Sequence, residues 1–376
     1  MSEHTTVCGR LQVRATGRCS AYDRSVVGIA LLTLVPGELG GSENATRGLL
    51  RGLASAGTLD YRVIVPPVAP DAGEGLPTEV VPEYRRAHSI PERLAAMSLA
   101  AARPRPIRRH LEGANIVHYP LTIAIPTVRV PRVVTLYDLQ HLDLPQMFPR
   151  MERRFRALAY HRSVRSAARV VVSSSFVRDR AVNGLRIDPG LIRVIPFGID
   201  HERLTPGDEL REPFLLYPAR AWPHKNHERL FHAFSLLRRV RPELRLVLTG
   251  GTLERIALPP KGVEIRGHVT AEELVSLYRR ASALVFPSLY EGFGQPPLEA
   301  MACGCPVVCS DAGSLPETCG TAARYFDPKD VDQMADAVLD VLADPEPWRK
   351  RGLERAGTFT WERTALDHER VYRELL

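Results

Sequence analysis

Apolar residues in this chain arrive in short, near-continuous runs, with helical stretches between several of them. VVGIALLTLV (26–35), YRVIVP (61–66), NIVHYP (115–120), RVVTLYD (132–138), RVVVSSS (169–175) and IRVIPFG (192–198) form a first set. Runs that do not alternate with polar residues are expected of parallel strands covered on both faces. Helical stretches at 43–56 and 151–168 lie among them, the second arginine-rich on its polar face. LTPGDELREP (204–213) is polar and carries Pro and Gly, so it reads as a linker. The pattern then restarts with FLLYPA (214–219), LRLVLTGG (244–251), VEIRGHV (263–269), ALVFPS (283–288), PVVCSD (306–311) and ARYFD (323–327). Helices at 226–240, 271–281, 296–304 and 330–343 separate these runs. The expected fold class is α/β: two Rossmann-like, doubly wound parallel-sheet domains facing a cleft. In such sheets ligands bind beyond the carboxyl ends of the strands.

Composition changes this picture little. At 376 residues, 44% hydrophobic and 25% charged, the chain has the profile of a soluble two-domain protein. The run Val26–Pro36 is too short to span a bilayer. Residues 1–24 lack the apolar core of a signal peptide and read as a loosely attached extension. The domains are expected at 25–203 and 204–360. Cys8 and Cys19 fall in the extension, whereas Cys303, Cys305, Cys309 and Cys319 crowd one region without zinc-ligand spacing. They read as buried thiols in a reducing, cytoplasmic setting. The net charge of +7 is partly concentrated: residues 85–110 hold seven Arg and one Glu. That segment suits an anionic partner such as a membrane surface or an acidic substrate. No nucleic-acid motif accompanies it, so nucleic acid is not expected as a partner.

The chemistry concentrates in YEGFGQPPLEAMACGCPVV (290–308). The loop SLYEGFGQP follows the strand ALVFPS. Pro297 then sits near the first turn of a helix, where its missing N–H costs nothing. The helix N-terminus faces the expected cleft and can hold an anion such as phosphate. Gly292 and Gly294 allow close approach of a ligand to the backbone. Glu291 and Glu299, separated by seven residues, are placed to accept hydrogen bonds from a hydroxyl-rich ligand. Asp330 and Asp332 have the spacing of a metal pair, but they sit at a helix start where Asp caps N–H groups. No metal site is expected.

These residues closely resemble the E-x7-E signature of family 4 retaining glycosyltransferases, which have the GT-B fold. The likeness extends over roughly residues 26–375. GSENATRGLLRGLASAG (41–57) resembles that family's glycine-rich turn and first helix. VVTLYDLQHLDLPQMFP (133–149) resembles its acceptor-side loop. VVVSSSFVRDRAV and IRVIPFGID (170–182, 192–200) resemble the last strands before the linker. LLYPARAWPHKNHERLFHAF (215–234) resembles the first donor-domain strand and its phosphate loop. DLQHLDLPQ and WPHKNH further resemble bacterial polysaccharide mannosyltransferases.

The resemblance implies a nucleotide-sugar donor, GDP- or UDP-linked, held by the C-terminal domain, and a glycan or lipid-linked acceptor held by the N-terminal domain. Residues 361–376 would form a helix crossing back to the N-terminal domain. Glu291 would bind the donor sugar's hydroxyls, and Gly292, Phe293 and Gly294 would hold sugar and phosphate through backbone N–H groups. Leu298 and Glu299 would lie at the nucleotide, with Glu299 on the ribose. Arg220 and Lys225 would neutralise the diphosphate. Gly40 and Gly41 would approach it from the other domain, and His268 and Val269 would meet the base. Placement agrees for the cations, because Arg220 and Lys225 follow the strand FLLYPA and so face the same cleft.

The match departs on the acceptor side. Many relatives have His before the Asp of that loop, whereas this chain has Tyr137 before Asp138. His141 or Asp138 is then expected to face the sugar. The expected reaction is metal-independent front-side displacement. The alternatives are a phosphorylase-like or hydrolytic GT-B enzyme and a non-catalytic sugar-nucleotide-binding protein. A dehydrogenase is disfavoured, since no G-x-G-x-x-G follows the first strand.

Overall fold

A computed structural model describes residues 25–256 and 259–376. Cys8, Cys19 and the expected extension lie outside the described residues. The N-terminal sheet contains β1 (Val26–Ala30), β2 (Asp60–Val65), β3 (Thr78–Val80), β4 (Ile116–Tyr119), β5 (Arg132–Leu136), β6 (Arg169–Val172) and β7 (Ile192–Val194). Its order is β3-β2-β1-β4-β5-β6-β7. The second sheet contains β8 (Glu212–Pro218), β9 (Arg245–Thr249), β10 (Val263–Gly267), β11 (Ala281–Phe286), β12 (Val307–Ser310) and β13 (Ala323–Phe326), in the order β10-β9-β8-β11-β12-β13. All the paired strands are parallel.

The strand order reverses between β1 and β4 in one sheet and between β8 and β11 in the other. Ligand crevices of doubly wound sheets open at such reversals. The loops that follow β1, β8 and β11 are therefore the ones the topology aims at a ligand. They carry Gly40, Lys225 and Glu291 respectively.

Two differences from expectation have local causes. The ten-residue run 26–35 is strand only through Ala30, although Leu31 to Val35 stay buried. The chain turns away from the sheet there, with Leu34 N–H donating to the Leu31 carbonyl. An apolar run reports burial, not strand length. Conversely, β3 is exposed throughout and has no apolar signal to announce it.

Helix α1 (Gly41–Ala56) opens directly after the glycine-rich turn, and α2 (Ile90–Ala102), α3 (Arg150–Arg165) and α4 (Ser175–Leu185) follow in the same domain. The second sheet is flanked by α5 (His227–Val240), α6 (Ala271–Arg280), α7 (Gln295–Ala302), α8 (Leu315–Cys319), α9 (Val331–Ala343) and α10 (Glu346–Ala356). Cys303, Cys305, Cys309 and Cys319 are buried free thiols. Asp330 caps α9, accepting from Gln333 N–H at 2.9 Å. No helix among the described residues is long and apolar enough to cross a membrane.

The last helix, α11 (Trp361–Arg373), packs against α1 of the N-terminal domain. Gly48 is small because Trp361 lies on it: a Cβ there would sit 2.2 Å from the indole. The buried Glu369 carboxylate accepts from Leu59 N–H at 2.9 Å, from Thr58 N–H at 2.5 Å and from the Tyr61 hydroxyl. Burial pushes this carboxyl up, but the Tyr61 and Thr58–Leu59 bonds bring it below its ordinary value. Glu374 is lowered to about 2 by Arg193 and Arg169.

A carboxylate lowered on folding contributes stability that is present above its unfolded pKa and lost as pH falls through the folded value. The docking of α11 is therefore expected to weaken as pH drops below about 4.3, the ordinary Glu value. Glu369→Gln should cost about 1.5–3 kcal/mol at pH 7 and flatten the acid limb of a Tm-against-pH profile. An unchanged Tm at neutral pH would overturn this account.

Candidate active site

The loop after β8 is rigidly built. Pro223–Lys225 forms a 3-10 turn, and Asn226 adopts a left-handed φ of 62°. The Asn226 amide donates to the carbonyls of Pro287 and Pro328, at 3.0 and 2.7 Å. This ties the β8 loop to the β11 loop. Lys225 Nζ lies 2.5 Å from Glu291 Oε1 and 5.2 Å from the centre of the Phe286 ring. Arg220 reaches across the cleft: its guanidinium donates to the Gly37 carbonyl at 2.7 Å and lies over the Trp222 ring. Gly40, at φ 57°, faces that guanidinium, and a Cβ on it would stand 3.9 Å from Arg220 Nε. Next to Gly41 a Cβ would meet nothing within 4 Å. The glycine turn is held by Glu43, which accepts from Gly37 N–H at 2.8 Å. His224, beside Lys225, is pushed down to about 3 by burial and by the neighbouring cation, so it is neutral.

The loop after β11 carries the first carboxylate. The Glu291 carbonyl accepts from both the N–H and the hydroxyl of Ser314, each at 3.1 Å. Gly294, at φ 100°, caps α7, and Pro296 and Pro297 occupy its first turn. Phe293 is buried against Phe197 and Phe359. The N–H groups of Gly292, Phe293 and Gly294 donate to no protein acceptor among the described residues. Leu298, in α7, is fully buried. Glu299 is half-buried, and its Oε2 accepts from the buried Tyr278 hydroxyl at 3.0 Å. Burial raises this carboxyl, while Tyr278 and Arg203 hold it back. His268 is exposed at the end of β10, beside Gly251 and Arg220, with Val269 half-buried next to it.

On the opposite wall, Gly292 touches the acceptor-side loop closely. A Cβ on it would lie 2.2 Å from the Tyr137 carbonyl. The Asp138 carboxyl is raised by burial, pulled back by Arg156 at 3.9 Å, and raised again by Glu291. Asp138 and Glu291 therefore feel each other across the cleft. His141 is instead enclosed: it is 1% exposed, its ring packs on Tyr160, and its pKa is lowered to about 4 by burial.

Several participants had no local sequence signal. Ser173 and Ser174 donate to the Gly292 carbonyl, at 3.1 and 2.7 Å. Glu317 of α8 accepts from Ser175 and Phe176 N–H, capping α4 from the other domain. The SSSF run could have marked a helix cap, but nothing in it points to a partner more than a hundred residues away. Tyr278 and Arg156 were likewise invisible. Among the described residues, no three His, Cys, Asp or Glu side chains gather as a metal site would need.

Two doubly wound domains, with a cation-bearing loop, a glycine-led helix start and paired carboxylates at the strand-order reversals, define a GT-B glycosyltransferase. Residues 39–203 match the family described as Glycosyltransferase Family 4, and residues 201–356 match Glycosyl transferases group 1. The chain is 32% identical to O-antigen chain mannosyltransferase B of Escherichia coli over 65% of this chain and 70% of that protein. It spans as little as 26% to 54% of other curated relatives. The fold is shared with sucrose-phosphate synthase from Thermosynechococcus elongatus, at TM-score 0.77 and 22% identity over 94% of this chain and 99% of that one. It is also shared with Anabaena HepE, solved in complex with UDP and glucose, at TM-score 0.69 and 16% identity over 94% and 100%. The chain belongs to the family 4 glycosyltransferases of GT-B fold, and is a hexosyltransferase by class.

Proposed function

We propose that this chain is a retaining glycosyltransferase that moves a hexose from a nucleoside-diphosphate sugar to a glycan, lipid-linked or small-molecule acceptor, without a metal. GDP-mannose is the first candidate donor and a UDP-hexose the second. The mannosyltransferase relative supports the former, and the UDP and glucose named for HepE support the latter. The observation that carries the reading is the Lys225–Glu291 pair, 2.5 Å apart where two loops meet at the strand-order reversal.

In this reading the bond from the anomeric carbon to the diphosphate breaks first in an oxocarbenium-like state. Arg220, Lys225 and the start of α7 stabilise the charge growing on the leaving phosphate. The acceptor oxygen bonds to the same face of the sugar, which retains configuration, and its proton passes to the departing phosphate oxygen. Glu291 supports the positive charge on the sugar, and Glu299 holds the ribose. Asp138 faces the acceptor. A peripheral contact with anionic lipid is part of the proposal. Arg85, Arg86, Arg103 and Arg105 are exposed, whereas His110 is taken up by Glu79 and Glu83.

Thermal unfolding against a panel of sugar nucleotides is the direct test. The matching donor or its nucleoside diphosphate at about 100 times its Kd should stabilise the chain by about 2.7 kcal/mol. The shift and the transfer rate should both survive EDTA. A flat response to every nucleotide at millimolar concentration would reject the donor assignment.

A further inference from the structure

Three successive carbonyls of the loop after β11 are each held by side-chain hydroxyls. The Glu291 carbonyl accepts from Ser314 Oγ at 3.1 Å, and the Phe293 carbonyl accepts from Thr318 Oγ1 at 2.5 Å. Both of these donors belong to the C-terminal domain, just before α8 and within it. The Gly292 carbonyl between them is held from the other domain. Ser173 and Ser174, which follow β6, donate to it at 3.1 and 2.7 Å. Both serines are enclosed, at 2% and 1% exposed. The peptides of this loop are trans. A trans peptide is planar, so a held carbonyl also sets the direction of the N–H on its opposite edge. The N–H groups set in this way are those of Gly292, Phe293 and Gly294, which meet no protein acceptor among the described residues. The donor domain itself therefore directs the first and third, and the N-terminal domain directs the second.

Contacts running the other way fix the register of the two domains at this point. Glu317 of α8 accepts from Ser175 and Phe176 N–H at 2.8 and 3.2 Å. The Phe176 ring meets the Tyr290 ring edge-on, with centroids 5.2 Å apart. Residue 292 is itself a record of this closeness. Its φ is not in the left-handed region, so the backbone conformation does not call for glycine. Space does, because a Cβ there would lie 2.2 Å from the Tyr137 carbonyl of the N-terminal domain. The two serines differ in what else they do. Ser174 Oγ also accepts from Val177 N–H at 3.2 Å and so caps α4. The Ser173 hydroxyl makes no second bond among the described residues.

We propose that Ser173 and Ser174 are positioning residues for the transfer: from the N-terminal domain they aim the Phe293 N–H at the outer phosphate of the donor. The row of three N–H groups is then complete only while the two domains stand in this register. The proposal rests on the reading of the Glu291–Gly294 loop as the holder of the donor's phosphate. The sugar is carried by the outer phosphate of a nucleoside diphosphate, so that phosphate is the one whose charge grows as the sugar leaves.

Calorimetric titration of two nucleotides tests this. The probes are the nucleoside diphosphate that binds in the panel above and the monophosphate of the same nucleoside. Each is titrated into the full chain, into Ser173→Ala and into the Ser173→Ala/Ser174→Ala double variant. The ratio of the two affinities isolates the outer phosphate. Ser173→Ala should lower that ratio by about 3-fold and the double variant by about 10-fold, the span of neutral hydrogen bonds, with monophosphate affinity unchanged. The rate of transfer at saturating donor should fall by more than the ratio does, because charge on the outer phosphate is greatest in the transition state. The double variant loses the α4 cap and should melt lower. Ser173→Ala should melt close to the parent and still lower the ratio, which a loss of stability does not produce. Equal losses for monophosphate and diphosphate would reduce the serines to a structural role and overturn the proposal. An unchanged ratio in the double variant, on a parent that prefers the diphosphate, would also overturn it and leave the donor reading standing. A parent with no preference for the diphosphate would reject the donor reading, and this proposal with it.

Discussion

Lys225→Ala is expected to slow hexosyl transfer by about 10²-fold or more, the usual cost of removing one group that stabilises transition-state charge, with the fold intact. The second half of that expectation follows from how the loop is held. The Tyr217 hydroxyl donates to the Lys225 carbonyl at 2.7 Å, and Asn226 anchors the next residue through two carbonyls. All three bonds use atoms that alanine retains or that belong to neighbours. Truncation therefore removes the ammonium and leaves the turn. It also leaves Glu291 without its cation, which opposes binding of a second anion at the same place. Nucleoside diphosphate affinity should fall together with the rate. Arg220→Ala should act in the same direction and, in addition, release the contact with the Gly37 carbonyl across the cleft. Single-turnover transfer rates and thermal melts of both variants are the measurements. Near-normal turnover in both would remove these cations from the phosphate site.

What the chain discloses about itself divides by the range of the interaction. The buried parallel strands were legible because both faces of β5, β6, β8 and β11 are covered, which forces unbroken apolar runs. The loop from Glu291 to Gly294 was legible because its requirements are local: a strand end, a residue at positive φ and prolines in a first turn. β3 was not, since an exposed edge strand of Thr78, Glu79 and Val80 needs no apolar pattern. Gly48 sits inside α1 with no local reason in the sequence; the reason is Trp361, which lies on it from the last helix. The same holds for the contacts that orient the site. Tyr278 with Glu299, Glu317 with the start of α4, and Arg156 with Asp138 each join different elements, and the Glu317 pair also crosses the domain boundary. No spacing rule can register them. Tyr137 also has a contact that no spacing registers. Its hydroxyl is spent on Thr46 and on the Ser42 carbonyl, at 3.0 and 3.1 Å, so it braces the first turns of α1.

The two carboxylates of the signature should fail in different ways when neutralised. Glu291→Gln keeps the size of the side chain and discards its charge. Lys225 is then released from its 2.5 Å partner, so the affinity for bare nucleoside diphosphate should hold or rise slightly. Turnover should nevertheless fall steeply, because the lost charge faces a positive charge that exists only in the transition state. Glu299→Gln reverses the pattern. Its carboxylate is oriented by Tyr278, and burial already lifts its pKa, so an amide loses the charge that ribose hydroxyls would meet. Nucleotide affinity should drop by about 1.5–3 kcal/mol, the range for hydrogen bonds to a charged group, and turnover at saturating donor should change far less. The raised carboxyl adds a pH signature. Nucleotide binding to the parent chain should weaken as pH falls through the Glu299 titration, and the Glu299→Gln variant should lose that dependence. Calorimetric binding of the bare nucleotide to both variants decides the matter: lost affinity in Glu291→Gln with full affinity in Glu299→Gln would mean that the two roles are exchanged.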